Sequence, residues 1–213
     1  MTATDPRTTA PFNPTRPDRR KALIWIAAGL GTPLLAGPAL AVSEAVARAL
    51  VDRLVADINA VISSGRSEAA MYTEFERIFT RYADVPVIAR YALGNDVRRA
   101  SPAQLQAFTS AFQRYISVRY GRRFREFIGG QIVTQSTRTI RNGVEVRAQA
   151  LLRGQSPFEV SFLVSDRSGK PLFFNMFIEG INMLLSERTE IGAMLDRRRG
   201  DIDLLIADLR AIG

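Results

Sequence analysis

The apolar positions of this chain keep a helical rhythm, change to strict alternation, and then return to the helical rhythm. Behind Ser43 as an N-cap, Ala47, Leu50, Val51, Leu54, Val55 and Ile58 recur at three- and four-residue steps until Gly65. That spacing predicts a helix with one buried face. A second helix is predicted from about Ser67, with Met71, Phe75, Ile78, Phe79 and Tyr82 on its stripe. Asp84-Val85-Pro86 reads as a cap with a first-turn proline and opens a short helix to about Ala92. Ser101-Pro102-Ala103-Gln104 has the capping-box arrangement. It opens a long helix with Leu105, Phe108, Phe112, Tyr115 and Ile116 on one stripe, closed by Gly129-Gly130.

Segments 131–141 and 144–153 flank Asn142-Gly143, a strong signal for a tight hairpin. Gly154 to Pro157 makes the next turn, after which Phe158, Val160, Phe162 and Val164 alternate with mostly polar neighbours. Asp166 to Gly169 turns the chain into a largely apolar strand, 171–179. Four strands joined by tight turns predict an antiparallel meander with one buried face. With Val160 and Phe162 inward, hairpin pairing brings Val144, Val146, Ala148, Ala150 and Leu152 to the same face. The last strand adds Leu172, Phe174, Met176 and Ile178, and leaves Phe173, Asn175 and Phe177 on its other side. Small residues such as Ala148 and Ala150 either admit a helix closely or leave volume for a ligand. Helical spacing resumes from Asn182 to Arg199, and Asp201 caps a last short helix. Helices, then a four-stranded meander, then helices define an α+β class, with helices on one face of a curved sheet.

The first 41 residues read as an export signal, not as part of that fold. Arg19-Arg20-Lys21 precede a 14-residue apolar run, Ala22 to Leu35, and Ala39-Leu40-Ala41 supplies a cleavage site. The run is shorter than the ~20 apolar residues a membrane span needs. The paired arginines admit the twin-arginine route, but the match is partial and the general secretory route is favoured. Cleavage leaves residues 42–213 as a single domain. It removes five of the 29 basic residues and two of the 21 acidic ones, leaving 24 against 19 and a net charge of +5. The arginines are mostly scattered, so this mildly basic surface is not a nucleic-acid footprint.

The chain has no Cys and no His, which removes disulfides, thiolate chemistry, the commonest general base and the commonest metal ligand. Neither a Gly-x-Ser-x-Gly elbow, a phosphate-cradling loop nor a zinc motif is present. No catalytic residue, metal or cofactor is therefore expected. Glu187 and Glu190 share a helix face, where carboxylates at this spacing pair with a neighbour such as Arg188 or simply solvate. Glu179 stands at the end of the last strand, and the rival reading is an exported α+β enzyme that uses it, or another carboxylate near a tyrosine. With Gly180, it equally suits the junction between a strand and a following helix. Periodicity alone is consistent with a filled core or with a hollow one.

Tyr91 to Gly121 (YALGNDVRRASPAQLQAFTSAFQRYISVRYG), Phe173 to Leu195 (FFNMFIEGINMLLSERTEIGAML) and the closing GDIDLLIADL, in this order behind an export signal, resemble the MlaC family. The resemblance runs from about Ala45 to Leu209. It implies a periplasmic phospholipid carrier, with acyl chains in an apolar cavity between sheet and helices. Its partners would be an inner-membrane ABC transporter with its substrate-binding membrane component, and an outer-membrane lipoprotein–porin complex. Lipid exchange between them would maintain outer-membrane lipid asymmetry. Related branches handle hopanoids, and Asn175 stands where the family often has an acid. Face assignment within that picture proposes Phe108, Phe112, Tyr115, Val146, Ala148, Val160, Phe162, Phe174, Met176 and Ile178 as the acyl-chain wall.

Overall fold

The computed structural model of the protein describes residues 42–124 and 130–213. The export signal expected at 1–41 and the helix-closing Gly129 lie outside the described residues.

Helix α1, Glu44–Ile62, begins where a local cap dictates, with Ser43 Oγ accepting the Val46 N–H at 3.3 Å. α2 spans Glu68–Tyr82 and α3 spans Val85–Leu93, the latter capped by Asp84 with Pro86 in its first turn. A 3₁₀ turn, Gly94–Arg98, leads to α4, Pro102–Phe124. The capping box ahead of α4 is formed in both directions. Ser101 Oγ accepts the Gln104 N–H at 3.1 Å, and Gln104 Oε1 accepts the Ser101 N–H at 3.0 Å. Strands β1 (Gln131–Ile140), β2 (Gly143–Leu151), β3 (Phe158–Ser165) and β4 (Leu172–Ile178) form the meander in sequence order. α5, Met183–Arg197, and α6, Ile202–Ile212, close the chain. The class is α+β, with a fifth strand, β5, of two residues (Ile181–Asn182) beyond the four expected.

That extra strand changes the reading of Glu179-Gly180. Ile178 pairs with Ile181, so the two residues are the whole loop of a tight hairpin, with φ of 50° and 78°. Positive φ at both positions is the type I′ turn, which follows the twist of paired strands. The helix starts later, at an Asn182 cap whose Oδ1 accepts the Leu185 N–H at 3.1 Å. Glu179 is thus a turn residue and not part of a helix start.

The first hairpin also departs from expectation by one residue. Ile140 pairs with Gly143, which makes Arg141-Asn142 the loop. Gly143 opens β2 at φ 142°, and a Cβ there would lie 2.0 Å from the Val164 carbonyl oxygen. Glycine is required at this site by the close approach of β3 as well as by its backbone angle.

Register confirms the inward set of β2 and β3: Val144 faces Val164, Val146 faces Phe162, and Ala148 faces Val160. Alternation breaks in β4. Val164 pairs with Phe173 while Leu163 pairs with Asn175, so Phe174 is an extra, bulged residue. Phe173 therefore joins the inner face with Phe162, ring centroids 5.8 Å apart, and Leu172 passes to the other side. The Asp84 N–H, donated to the Phe173 carbonyl at 2.8 Å, ties the start of α3 to this end of β4.

β1 is an edge strand, and α1 lies along it. Asn59 bonds both backbone groups of Ile132, Arg48 donates to the carbonyls of Thr134 and Gln135, and Glu44 accepts the Thr139 N–H. The open edge is occupied by side chains of the protein's own helix, which blocks pairing with another strand.

Candidate functional site

Between the β3–β4 half of the sheet and helices α1 to α5 the core is hollow. The cavity has a volume of about 480 Å³. From the helices come Leu54 and Ile58 of α1, Phe75, Ile78 and Phe79 of α2, Ile88 of α3, and Ile116, Ser117, Tyr120 and Gly121 of α4. α5 adds Met183, Leu184 and Glu187. The sheet supplies Val160, Phe162, Phe173, Phe174, Met176 and Ile178 among others. The bulge at Phe174 explains why consecutive residues of β4 all reach this wall, since a regular strand would offer every second one.

The exposed lining residues are Gln155, Ser156 and Glu179, in the β2–β3 and β4–β5 turns at one end of the sheet. They make a polar rim over an apolar interior. Asn175, buried in the wall, is bonded within the chain through both ends of its amide. Its Oδ1 accepts the N–H groups of Met176 (2.8 Å) and Leu184 (3.2 Å), and its Nδ2 donates to Asn182 Oδ1 at 3.0 Å. One amide thereby fastens the end of β4 to the first turn of α5.

Of the ten wall residues proposed from the sequence, the structure brings Val160, Phe162, Phe174, Met176 and Ile178 together around this cavity. The other five are buried elsewhere. Val146 and Ala148 lie in β2, against which α1 packs, so the small Ala148 goes with a close helix and not with open volume. Phe108 and Phe112 stack at 5.7 Å between centroids, on the helix that packs against α2 and α6. Tyr115 lines a separate recess of about 270 Å³, together with Arg119, Arg122, Arg197 and Met194. The α4 residues that do reach the main cavity are Ile116, from the end of that stripe, with Ser117, Tyr120 and Gly121 beyond it. The α2 stripe of Phe75, Ile78 and Phe79 was visible as periodicity, but which helices face the hollow is a tertiary matter.

Glu187 is a correction. It is neither paired with Arg188 nor solvated: it is 3% exposed. α5 turns its Met183–Leu184–Glu187 face to the cavity, and Arg188 stacks over Tyr91 at 5.2 Å from the ring centroid. Glu187 Oε1 accepts the Tyr120 O–H at 2.6 Å and lies 3.4 Å from Arg119 Nε. Burial pushes the Glu187 pKa up, against the Tyr120 hydrogen bond and the Arg119 charge, which lower it. The Tyr120 hydroxyl is pushed far up by burial and by the adjoining carboxylate. Tyr115, whose hydroxyl accepts from Arg119, rises to about 12, again chiefly through burial.

A model of the protein family described as "MlaC protein" matches residues 48–211. The chain belongs to the MlaC family. Among solved structures, a phospholipid-binding protein from Ralstonia solanacearum, in complex with a phospholipid, has a TM-score of 0.67 to this chain at 18% identity. The likeness covers 78% of this chain and 96% of that one. At this identity it establishes a shared fold. None of the described helices is long and apolar enough to cross a membrane.

Proposed function

We propose that the protein is a periplasmic phospholipid carrier that holds acyl chains in the sheet–helix cavity. The observation that carries this reading is the cavity itself: about 480 Å³, walled by aliphatic and aromatic side chains, with polar residues at its rim. Each methylene moved from water into such a wall gains about 0.8 kcal/mol, so chains are held without polar contacts. The rim residues Gln155, Ser156 and Glu179 suit a headgroup left at the water boundary. Family membership and the phospholipid seen in the Ralstonia solanacearum protein support the same cargo.

In this role the carrier moves lipid between an outer-membrane lipoprotein–porin complex and an inner-membrane ABC transporter with its substrate-binding membrane component. It makes no covalent change to the lipid and needs no cofactor. The leader at 1–41 would be cleaved on export, leaving a single-domain carrier. Glu179, the acid favoured by an enzyme reading, serves as a turn residue at the rim.

The test is to purify the protein from cells and analyse its organic extract by mass spectrometry. Phospholipid near one equivalent is expected. Protein that comes out lipid-free, and stays so after incubation with labelled phospholipid vesicles, overturns the proposal.

A further inference from the structure

We infer that Glu187 is a polar contact for the cargo, its second carboxylate oxygen accepting a hydrogen bond from an N–H or O–H group that the lipid carries into the cavity. This inference rests on the carrier reading and narrows it from phospholipids in general to those bearing such a donor.

The other buried polar side chains of the cavity wall each have a partner within the chain. Ser117 donates its hydroxyl to the Gln113 carbonyl at 2.8 Å, and the Asn175 amide makes the three bonds described above. Tyr120 gives its proton to Glu187 Oε1. Glu187 Oε2 is different: it is buried and has no hydrogen-bond partner among the described residues. An acceptor withdrawn from water and left unpaired is costly, most of all on a carboxylate. It persists in a folded chain when something outside the chain completes it. Glu187 lines a cavity suited to an apolar ligand, so that cavity is the side from which a completing donor can come, with a small shift of the side chain that opens Oε2, closed off as it stands. The neighbouring oxygen is held by Tyr120, and Arg119 approaches the same atom, so the carboxylate is oriented before the ligand enters.

Two lipid features offer this chemistry. A headgroup ammonium or hydroxyl near the rim supplies a donor, and an ammonium adds charge attraction. A hydroxyl on an acyl chain supplies one deeper in. A lipid with neither leaves the carboxylate desolvated and unpaired, and sites built to hydrogen-bond a donor reject analogues that lack it strongly.

The experiment offers the purified protein vesicles containing equal amounts of three labelled lipids. These are phosphatidylethanolamine, phosphatidylcholine with the same chains, and phosphatidylcholine with one hydroxylated chain. Bound lipid is extracted and counted. Phosphatidylethanolamine exceeding phosphatidylcholine by about tenfold identifies the headgroup as donor, and the hydroxylated lipid exceeding its plain counterpart identifies the chain. In either case the ratio falls to about one in both Glu187→Gln and the volume-matched Glu187→Met, whose folding is checked by circular dichroism. Having two variants keeps the test decisive if one fails to fold. Equal uptake of all three lipids by the unsubstituted protein, or a preference that survives both substitutions, overturns the contact and leaves the carrier standing. Uptake of no lipid at all overturns the carrier reading and this contact with it.

Discussion

The Asn59 carboxamide makes both hydrogen bonds of one Ile132 residue, donating from Nδ2 to its carbonyl at 3.2 Å and accepting its N–H on Oδ1 at 3.1 Å. A helix side chain thus stands where the next strand of a sheet would stand. Asn59→Ala is expected to remove both bonds and lower stability by about 2 kcal/mol, a fall of roughly 4–8 °C in Tm. Light scattering on heating should rise earlier than in the parent, because the bared backbone of β1 becomes a template for a second chain. Unchanged Tm and scattering would show that water replaces the amide at no cost.

The location of the hollow separates two tryptophan substitutions that the sequence pattern treats alike. Ile178 is half-buried and faces the cavity, so Ile178→Trp should cut phospholipid uptake severely while Tm stays within a few degrees. Ala148 is 1% exposed and off the cavity, and Ala148→Trp should instead overpack the core, costing about 1–3 kcal/mol or more. Lipid counting and thermal melts on both variants check this. Normal uptake by Ile178→Trp would place the cargo elsewhere.

Glu187 makes stability depend on pH in a direction opposite to that of a salt-bridged acid. Its folded pKa is raised by burial, so the native state holds the proton more tightly than the unfolded chain. The contribution is fully present below the unfolded carboxylate pKa, about 4.3, and is lost as pH rises through the higher folded value. Glu187→Gln removes that loss. The variant should be the more stable protein at pH 7, by about 1 kcal/mol or 2–4 °C in Tm, and the gap should close toward pH 4. A gap constant from pH 4 to 8 would refute the titration.

Glu179 occupies a left-handed backbone position that an ordinary side chain adopts at a cost of about 1–2 kcal/mol. Asparagine tolerates it better, and Asn-Gly is the favoured pair in a type I′ turn. Glu179→Asn should therefore raise stability by about 0.5–1 kcal/mol and retain phospholipid uptake. Loss of uptake in a stabilised variant would give the carboxylate a role that the turn does not require.

These residues also show what could be read from the sequence. The caps at Ser43, Asp84, Ser101 and Asp201 are local chemistry, decided within three or four residues, and each formed as expected. The inward faces of β2 and β3 followed from alternation because those strands pair without a slip. The phase of β4 was not legible, since the extra residue at Phe174 appears only when Val164 and Leu163 choose their partners. The burial of Glu187 was hidden for a similar reason. Carboxylates three residues apart on a helix, such as Glu187 and Glu190, look solvated until the helix is docked, and only docking brings Tyr120 and Arg119 to Glu187. An unfilled volume has no signature in sequence at all, because the side chains around it are those of any core.

The hollow makes this fold's thermal stability a property of its surroundings as much as of its chain. Its wall side chains lack, on one side, the neighbours that a filled interior would give them. Any apolar occupant that binds the native protein and not the unfolded one raises the melting point with its concentration, by mass action. A melting curve of the stripped protein titrated with candidate lipids is then a direct affinity measurement. For the same reason, a protein purified with cargo and one purified without it have no common Tm.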